Sequence, residues 1–296
     1  MLMPIASVCL PPPAHYEAPR FPVPAWSCDS HCHVTPHDYE NTVPDAGYSP
    51  APATPAALRQ LRASIGFGRS VVIQASVYGL DNRAVEQALR GEPDVLRGVV
   101  VADRRVSDAQ IDQWHALGVR GMRFIMSGQL GGTVGIEDLV QLASRLSERG
   151  WHAEVALRSE QWTELMPVLR SLGCPLVIDH LGGLPPEMAG EAEQAIFSLL
   201  SAGRAWIKLI GYRLSPDLME PRLIHRAQRL YAAAPERMVW GTDWPHVGLI
   251  EASDAGRLLN AFAGWFEHDA GVLNQLLSLN PEVLFDFPRR ANVTLG

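Results

Sequence analysis

The chain has 296 residues, a size that accommodates two modest domains or one large α/β barrel, and its 47% hydrophobic content is ample for a sizeable core. A net charge of −7 without acidic or basic blocks excludes the electrostatic footprint of a nucleic-acid-binding protein. The four cysteines, Cys9, Cys28, Cys32 and Cys174, match neither a disulfide scaffold nor a zinc knuckle, so they read as reduced thiols in a cytoplasmic protein.

Residues 1–25 have a short apolar start but no basic n-region, and prolines interrupt them before a spanning helix forms. They are expected to form an extended arm, with one domain from 26 to 296. The first strand is expected at "WSCDSHCHV", about 26–34. A Pro/Gly/Tyr-rich stretch, "TPHDYENTVPDAGYSPAPATP", follows and is long enough to be functional. Apolar, β-branched runs then alternate with amphipathic ones. Helix "AALRQLRASIG" leads to strand "RSVVIQAS", helix "DNRAVEQALRG" to strand "LRGVVVAD", and helix "SDAQIDQWHALG" to strand "VRGMRFI". Helix "IEDLVQLASRLSERG" precedes strand "WHAEVAL", and helix "SEQWTELMPVLRSLG" precedes strand "CPLVIDH". Helix "EAEQAIFSLLSAG", strand "AWIKLIG", a helix within "DLMEPRLIHRAQRLYAAAP" and strand "RMVWGTD" complete the alternation, with helical segments through "LLNAFAGWFEHD" and "AGVLNQLLSLN".

Eight strand–helix units predict a distorted (β/α)8 barrel of TIM type rather than an open doubly wound sheet. No GxGxxG follows the first strand, which removes the argument for a dinucleotide fold. Gly118, Gly150, Gly173 and Gly203 stand where left-handed helix stops are expected. Trp114, Trp162 and Trp265 lie on helix faces and serve either the core or a homo-oligomer interface.

In such a barrel the chemistry sits at the carboxyl ends of the strands. Collected there are Asp29, His31 and His33 on strand one, Gln74 and Ser76 on strand two, and Arg123 on strand four. Strand five adds His152 and Glu154, strand six Asp179 and His180, strand seven Lys208 with Tyr212 and Arg213 beyond it, and strand eight Asp243. Singly, each has a plain structural reading: an aspartate caps a helix, a histidine packs, an arginine pairs with a carboxylate. Together, His31, His33, His180 and Asp243 converge on the barrel axis, which packing does not require.

These segments resemble the amidohydrolase superfamily, and within it the 2-pyrone-4,6-dicarboxylate lactonase-like branch. The resemblance rests on "CDSHCHV", "VVIQASVYGLDN", "RGMRF", "VIDHLGG", "WIKLIGYRLS" and "MVWGTDWPH", in order from about residue 26 to 246. It implies a hydrolase that opens a carboxylated lactone or related cyclic ester in aromatic or sugar-acid catabolism. Asp243 would activate water, and His31, His33 and His180 would polarise the carbonyl. Arg123 and Arg213 would grip substrate carboxylates, with Ser76, Tyr48 and Tyr78 as neutral donors and His246 near the substrate.

Two readings of the centre stay open. One requires no cofactor. The other places a single zinc or manganese ion on His31, His33, His180 and Asp243, with Glu154 as a further oxygen ligand. Arg123 stands where a bridging metal ligand would be sought, while Lys208 and the deeper His152 read as structural. The branch is expected to carry another arginine after the strand-four Arg and a tyrosine on strand five; "MSGQLGG" and Ala156 stand there instead. That argues against 2-pyrone-4,6-dicarboxylate itself as substrate. A metal-dependent, non-oxidative decarboxylase and a non-catalytic carboxylate binder are the competing readings. Neither nucleic-acid nor membrane partners are expected.

Overall fold

Eight short parallel strands stand side by side in chain order: β1 Cys28–Cys32, β2 Arg69–Ile73, β3 Leu96–Val100, β4 Val119–Ile125, β5 His152–Ala156, β6 Leu176–Ile178, β7 Ala205–Lys208 and β8 Met238–Val239. This computed structural model describes residues 8–36, 43, 46–127, 134–188, 190–249 and 253–288. Helices α1 Pro55–Ile65, α2 Arg83–Gly91, α3 Asp108–Leu117, α4 Ile136–Glu148, α5 Gln161–Glu164, α6 Met166–Ser171, α7 Glu191–Ser201, α8 Pro221–Ala233 and α9 Ala255–Trp265 intervene or follow, giving a TIM-type barrel. No helix among the described residues is long and apolar enough to cross a membrane.

The strands are shorter than their apolar runs because the last residues of each run leave the ladder. His33, Asp179, His180 and Asp243 all lie past the ends of their strands. The expected single helix after β5 is two pieces, since Pro167 has no N–H to donate and the chain breaks at Leu165. Gly118, Gly150 and Gly203 do adopt left-handed φ of 101°, 67° and 65°. Gly173 does not: α6 ends at Ser171 and Leu172 turns extended, so no left-handed stop is needed. Trp114, Trp162 and Trp265 are all buried within the one chain, each indole N–H donating to Glu86, Gly182 or Leu218.

The C-terminal segment plugs the amino end of the barrel. After α10 Ala270–Asn274, a π turn at Gln275–Leu279 and α11 Asn280–Leu284, Phe285 and Phe287 pack on Cys28, Val71, Ile73 and Val99. The guanidiniums of Arg69 and Arg97 stand 4.9 and 4.6 Å from the Phe287 ring centre. Residues 8–25 are irregular and lie on α9: the Glu17 N–H donates to the Asp254 carboxylate and the Arg20 N–H to Asn260 Oδ1. Tyr16 reaches inward to accept from the Trp244 indole. All four cysteines are free and buried.

The seam between β8 and β1 places the reactive residues. Ser30 N–H donates to Trp240 O, Asp243 N–H to His31 O, and His33 N–H to Trp244 O, at 3.0, 2.7 and 2.7 Å. Asp29, wholly buried, clamps the seam: its carboxylate accepts from the Thr242 N–H (2.8 Å), the Thr242 hydroxyl (2.6 Å) and the His31 N–H (3.2 Å). Gly241 must lack a side chain, because a Cβ there would lie 2.4 Å from His31 N. Burial pushes the Asp29 carboxyl up to about 6 against the pull of its hydrogen bonds. A carboxyl raised by folding contributes most when protonated, below the unfolded value of about 4, and that contribution is lost as pH rises through the folded value. Asp29→Ala, measured at about pH 5, should cost about 2–3 kcal/mol by orphaning the Thr242 donors. An unchanged urea midpoint would contradict the clamp.

Candidate active site

Four charged side chains pack inside the barrel at the carboxyl ends of β4 to β7. Arg123 of β4 stands across the ladder from Glu154 of β5, which puts both on the inner face. Asp179 follows β6 and Lys208 closes β7. Arg123 donates through Nε to Asp179 Oδ2 at 3.0 Å and lies 3.3 Å from Glu154 Oε1. Lys208 Nζ donates to Glu154 Oε2 at 2.5 Å and lies 3.5 Å from Asp179 Oδ1. Burial raises both carboxyls. Arg123, Lys208 and His31 overcome it at Asp179, which is held well below the usual range. Glu154 is pushed up to about 7 by burial and by the charge of Asp179.

The reactive residues meet beside this cluster. The rings of His31 and His33 are 5.0 Å apart, and those of His31 and His180 are 5.1 Å apart. His33 bonds through Nδ1 to Ile73 O at 2.8 Å, and its Nε2 lies 3.2 Å from Asp243 Oδ1. His31 Nε2 lies 3.6 Å from the same oxygen. The other oxygen of Asp243 accepts from the Tyr212 hydroxyl at 2.7 Å and from Arg213 Nε at 2.5 Å. Burial works against the Asp243 charge, but Arg213 and the neighbouring histidines hold its carboxyl well below the usual range. Burial keeps His31 and His180 uncharged at neutral pH, His180 falling to about 4. Asp243 and His180 take left-handed φ of 57° and 46°, a strained backbone of the kind that clusters at working sites.

A cavity of about 220 Å³ opens directly over these groups. Arg123, Arg158, Arg213, Ser127, Ser159 and His180, with the carboxylates of Asp179 and Glu160, supply its polar wall, and Ile125, Leu157 and Leu214 its apolar one. His31, His33 and Asp243 lie behind it, all but fully buried. The other residues singled out in the sequence surround the centre without lining that cavity. Tyr48 and Ser76 bond through their hydroxyls at 2.9 Å, and Tyr78 is buried. His246 bonds to Thr242 O and meets Tyr212 edge-on. His152 lies deeper, against Phe285, where burial lowers it to about 3. Sequence reasoning gave no role to Asp179 and Tyr212, undervalued Lys208, and missed Ser127, Arg158 and Ser159. The inward parity of Glu154 and Lys208 was the available signal for the cluster. "MSGQLGG" lies mostly outside the described residues.

Among the described residues, two groups bring metal-ligating atoms within 4.8 Å of one another: His31, His33 and Asp243, and His31, Asp179 and His180. As arranged, they fit a divalent ion poorly. Asp179 and Asp243 are held ionised and Glu154, pushed up to about 7, is ionised in part, all facing three cations (Arg123, Lys208, Arg213), so no surplus negative charge calls for a dication. Adding two positive charges to a balanced, buried cluster is costly. The Lys208 ammonium also stands 2.9 Å from His31 Nδ1.

Residues 28–287 match the model of the amidohydrolase family. The chain is 32% identical to a 2-pyrone-4,6-dicarboxylate hydrolase of Comamonas testosteroni, over 92% of this chain and 94% of that protein. It is 28% identical to a 4-sulfomuconolactone hydrolase of Rhizobium radiobacter, covering 94% and 95%. Among solved structures, a probable 2-pyrone-4,6-dicarboxylic acid hydrolase of Acinetobacter baumannii with citric acid bound superposes with a TM-score of 0.78 at 26% identity, over 88% of this chain and all of that one.

The charge balance is open to direct measurement. Arg123→Met leaves Asp179 and Glu154 short of one buried cation and should cost about 3–5 kcal/mol in urea unfolding. A loss below about 1 kcal/mol would show that the arginine is a dispensable surface-like pair.

Proposed function

The chain belongs to the amidohydrolase family, and from that membership and the site geometry we propose that it opens a carboxylated lactone without a metal. It is a hydrolase of ester bonds; the substrate class and the division of labour below are our reading. The observation that carries it is the Asp243 carboxylate, anchored through one oxygen by Tyr212 and Arg213 and aimed through the other at His31 and His33.

Water bound at Asp243 attacks the lactone carbonyl carbon while its proton passes to the carboxylate side. The carbonyl π pair becomes an oxyanion, which His31 and His180 are placed to stabilise, while both ring nitrogens of His33 are engaged by Ile73 O and Asp243. Collapse breaks the ring C–O bond, and the held proton returns to the leaving ring oxygen. The products are one carboxyl group and one hydroxyl group, so atoms and charge balance. Uncharged His31 and His180 serve as donors without needing a partner anion. Arg123 and Arg213 present charge to the cavity and draw in the substrate's carboxylate, although each also holds an internal carboxylate. The citrate bound by the Acinetobacter relative supports a polyanionic ligand. Tyr48, Ser76, Tyr78 and His246 form the packed surround of this centre.

The test is a hydrolysis screen of carboxylated lactones, before and after chelator treatment, with carbon dioxide release measured in parallel. Turnover unchanged by chelator is expected. Chelator-sensitive release of carbon dioxide would favour a metal-dependent decarboxylase, and ligand binding without turnover a simple binder. Asp243→Asn should lower kcat at least about 100-fold with KM little changed. Retained turnover in that variant would remove Asp243 from the reaction.

A further inference from the structure

The two histidines of the H-x-H pair are held by different partners. Lys208 Nζ is wholly buried among three acceptors: Glu154 Oε2 at 2.5 Å, His31 Nδ1 at 2.9 Å and Asp179 Oδ1 at 3.5 Å. An ammonium has three hydrogens and no lone pair, so it donates to Glu154 and to His31 and pairs by charge with Asp179. Nδ1 of His31 therefore accepts, and the hydrogen of the uncharged ring sits on Nε2. That nitrogen is buried and has no hydrogen-bond partner among the described residues, an idle donor at the reacting centre.

His33 is fixed the other way. Its Nδ1 bonds to Ile73 O at 2.8 Å, and a carbonyl oxygen only accepts, so the ring hydrogen is on Nδ1. Its Nε2 stands in hydrogen-bonding contact with Asp243 Oδ1 at 3.2 Å, so His33 is held between Ile73 and the carboxylate.

We infer that Lys208 is a positioning residue that fixes His31 as the Nε2–H tautomer, so that His31 donates to the oxyanion while Asp243 receives the proton from water. The inference rests on the hydrolytic reading above and assigns roles within the same site. It concerns which nitrogen bears hydrogen in an uncharged ring, not whether the ring ionises. Water's O–H bond breaks as its oxygen bonds to the carbonyl carbon. The proton lodges on the Asp243 carboxylate and later moves to the ring oxygen. The same lysine works against metal binding, because a metal on His31 Nε2 requires the ring hydrogen to move to Nδ1, where Lys208 already stands.

The test is a proton–nitrogen correlation spectrum of the metal-free protein labelled with ring-¹⁵N histidine, the two rings assigned through His31→Gln and His33→Gln. His31 is expected to carry hydrogen on Nε2 and His33 on Nδ1. Hydrogen on Nδ1 of His31, or the same tautomer in both rings, would overturn the inference. In Lys208→Met the His31 hydrogen should move to Nδ1, toward Asp179 Oδ1 at 3.4 Å. That variant should lose about 100-fold in kcat with little change in KM, and take up one zinc ion where the native protein takes none. An unchanged His31 spectrum in Lys208→Met would remove the lysine from the assignment. If that variant fails to fold, the native spectrum still decides. The expected tautomers in a protein that opens no lactone would support this inference and count against the reaction itself.

Discussion

Everything at the carboxyl end of the barrel depends on one constraint: charges buried there must be paired. Glu154, Asp179, Arg123 and Lys208 are nearly or wholly removed from solvent, and an unpaired ion in such a place costs several kcal/mol. The pairing is reciprocal. Arg123 and Lys208 hold Asp179 ionised, and the carboxylates hold the two cations in position. The network cannot be trimmed at one residue without stranding its partners. Lys208 is the member that reaches out of it, so the structural cluster and the reacting His31 share a hydrogen bond.

The barrel seam adds a second constraint. Because β8 is only Met238–Val239, the closure onto β1 relies on Asp29, Thr242 and three backbone hydrogen bonds. One of these links Asp243 N–H to His31 O, so the bond that closes the barrel also sets the distance between Asp243 and the histidines. Left-handed φ at Asp243 turns its carboxylate toward the histidines and lets Tyr212 and Arg213 occupy one oxygen. The strain there is stored by the closed fold and preorganises the site.

Much of this was legible in the sequence, and the part that was not has a common cause. Period-two runs and helical stretches located all eight strands, and barrel geometry brought His31, His33, His180 and Asp243 together. What local pattern does not encode is which buried charges choose each other. Lys208 meets a histidine 177 positions earlier, and Arg123 meets a carboxylate 56 positions later. Arg213 looked from its position like a free substrate anchor, but it holds Asp243. Arg158 and Ser159 lie beyond the end of β5, in a stretch with no periodic signal, yet they form part of the cavity wall. Ala156 lines the same cavity beside Arg158.

The central claim is that a balanced set of protein charges, rather than a metal, prepares this centre to polarise a carbonyl. The most direct measurement is a crystal structure with a lactam analogue of a carboxylated lactone, with anomalous data collected at the zinc edge on protein equilibrated with zinc. The account predicts the lactam oxygen within hydrogen-bonding distance of His31 Nε2 and His180, and no anomalous peak among His31, His33 and Asp243. A peak there, with the ring nitrogens turned onto it, would contradict the account.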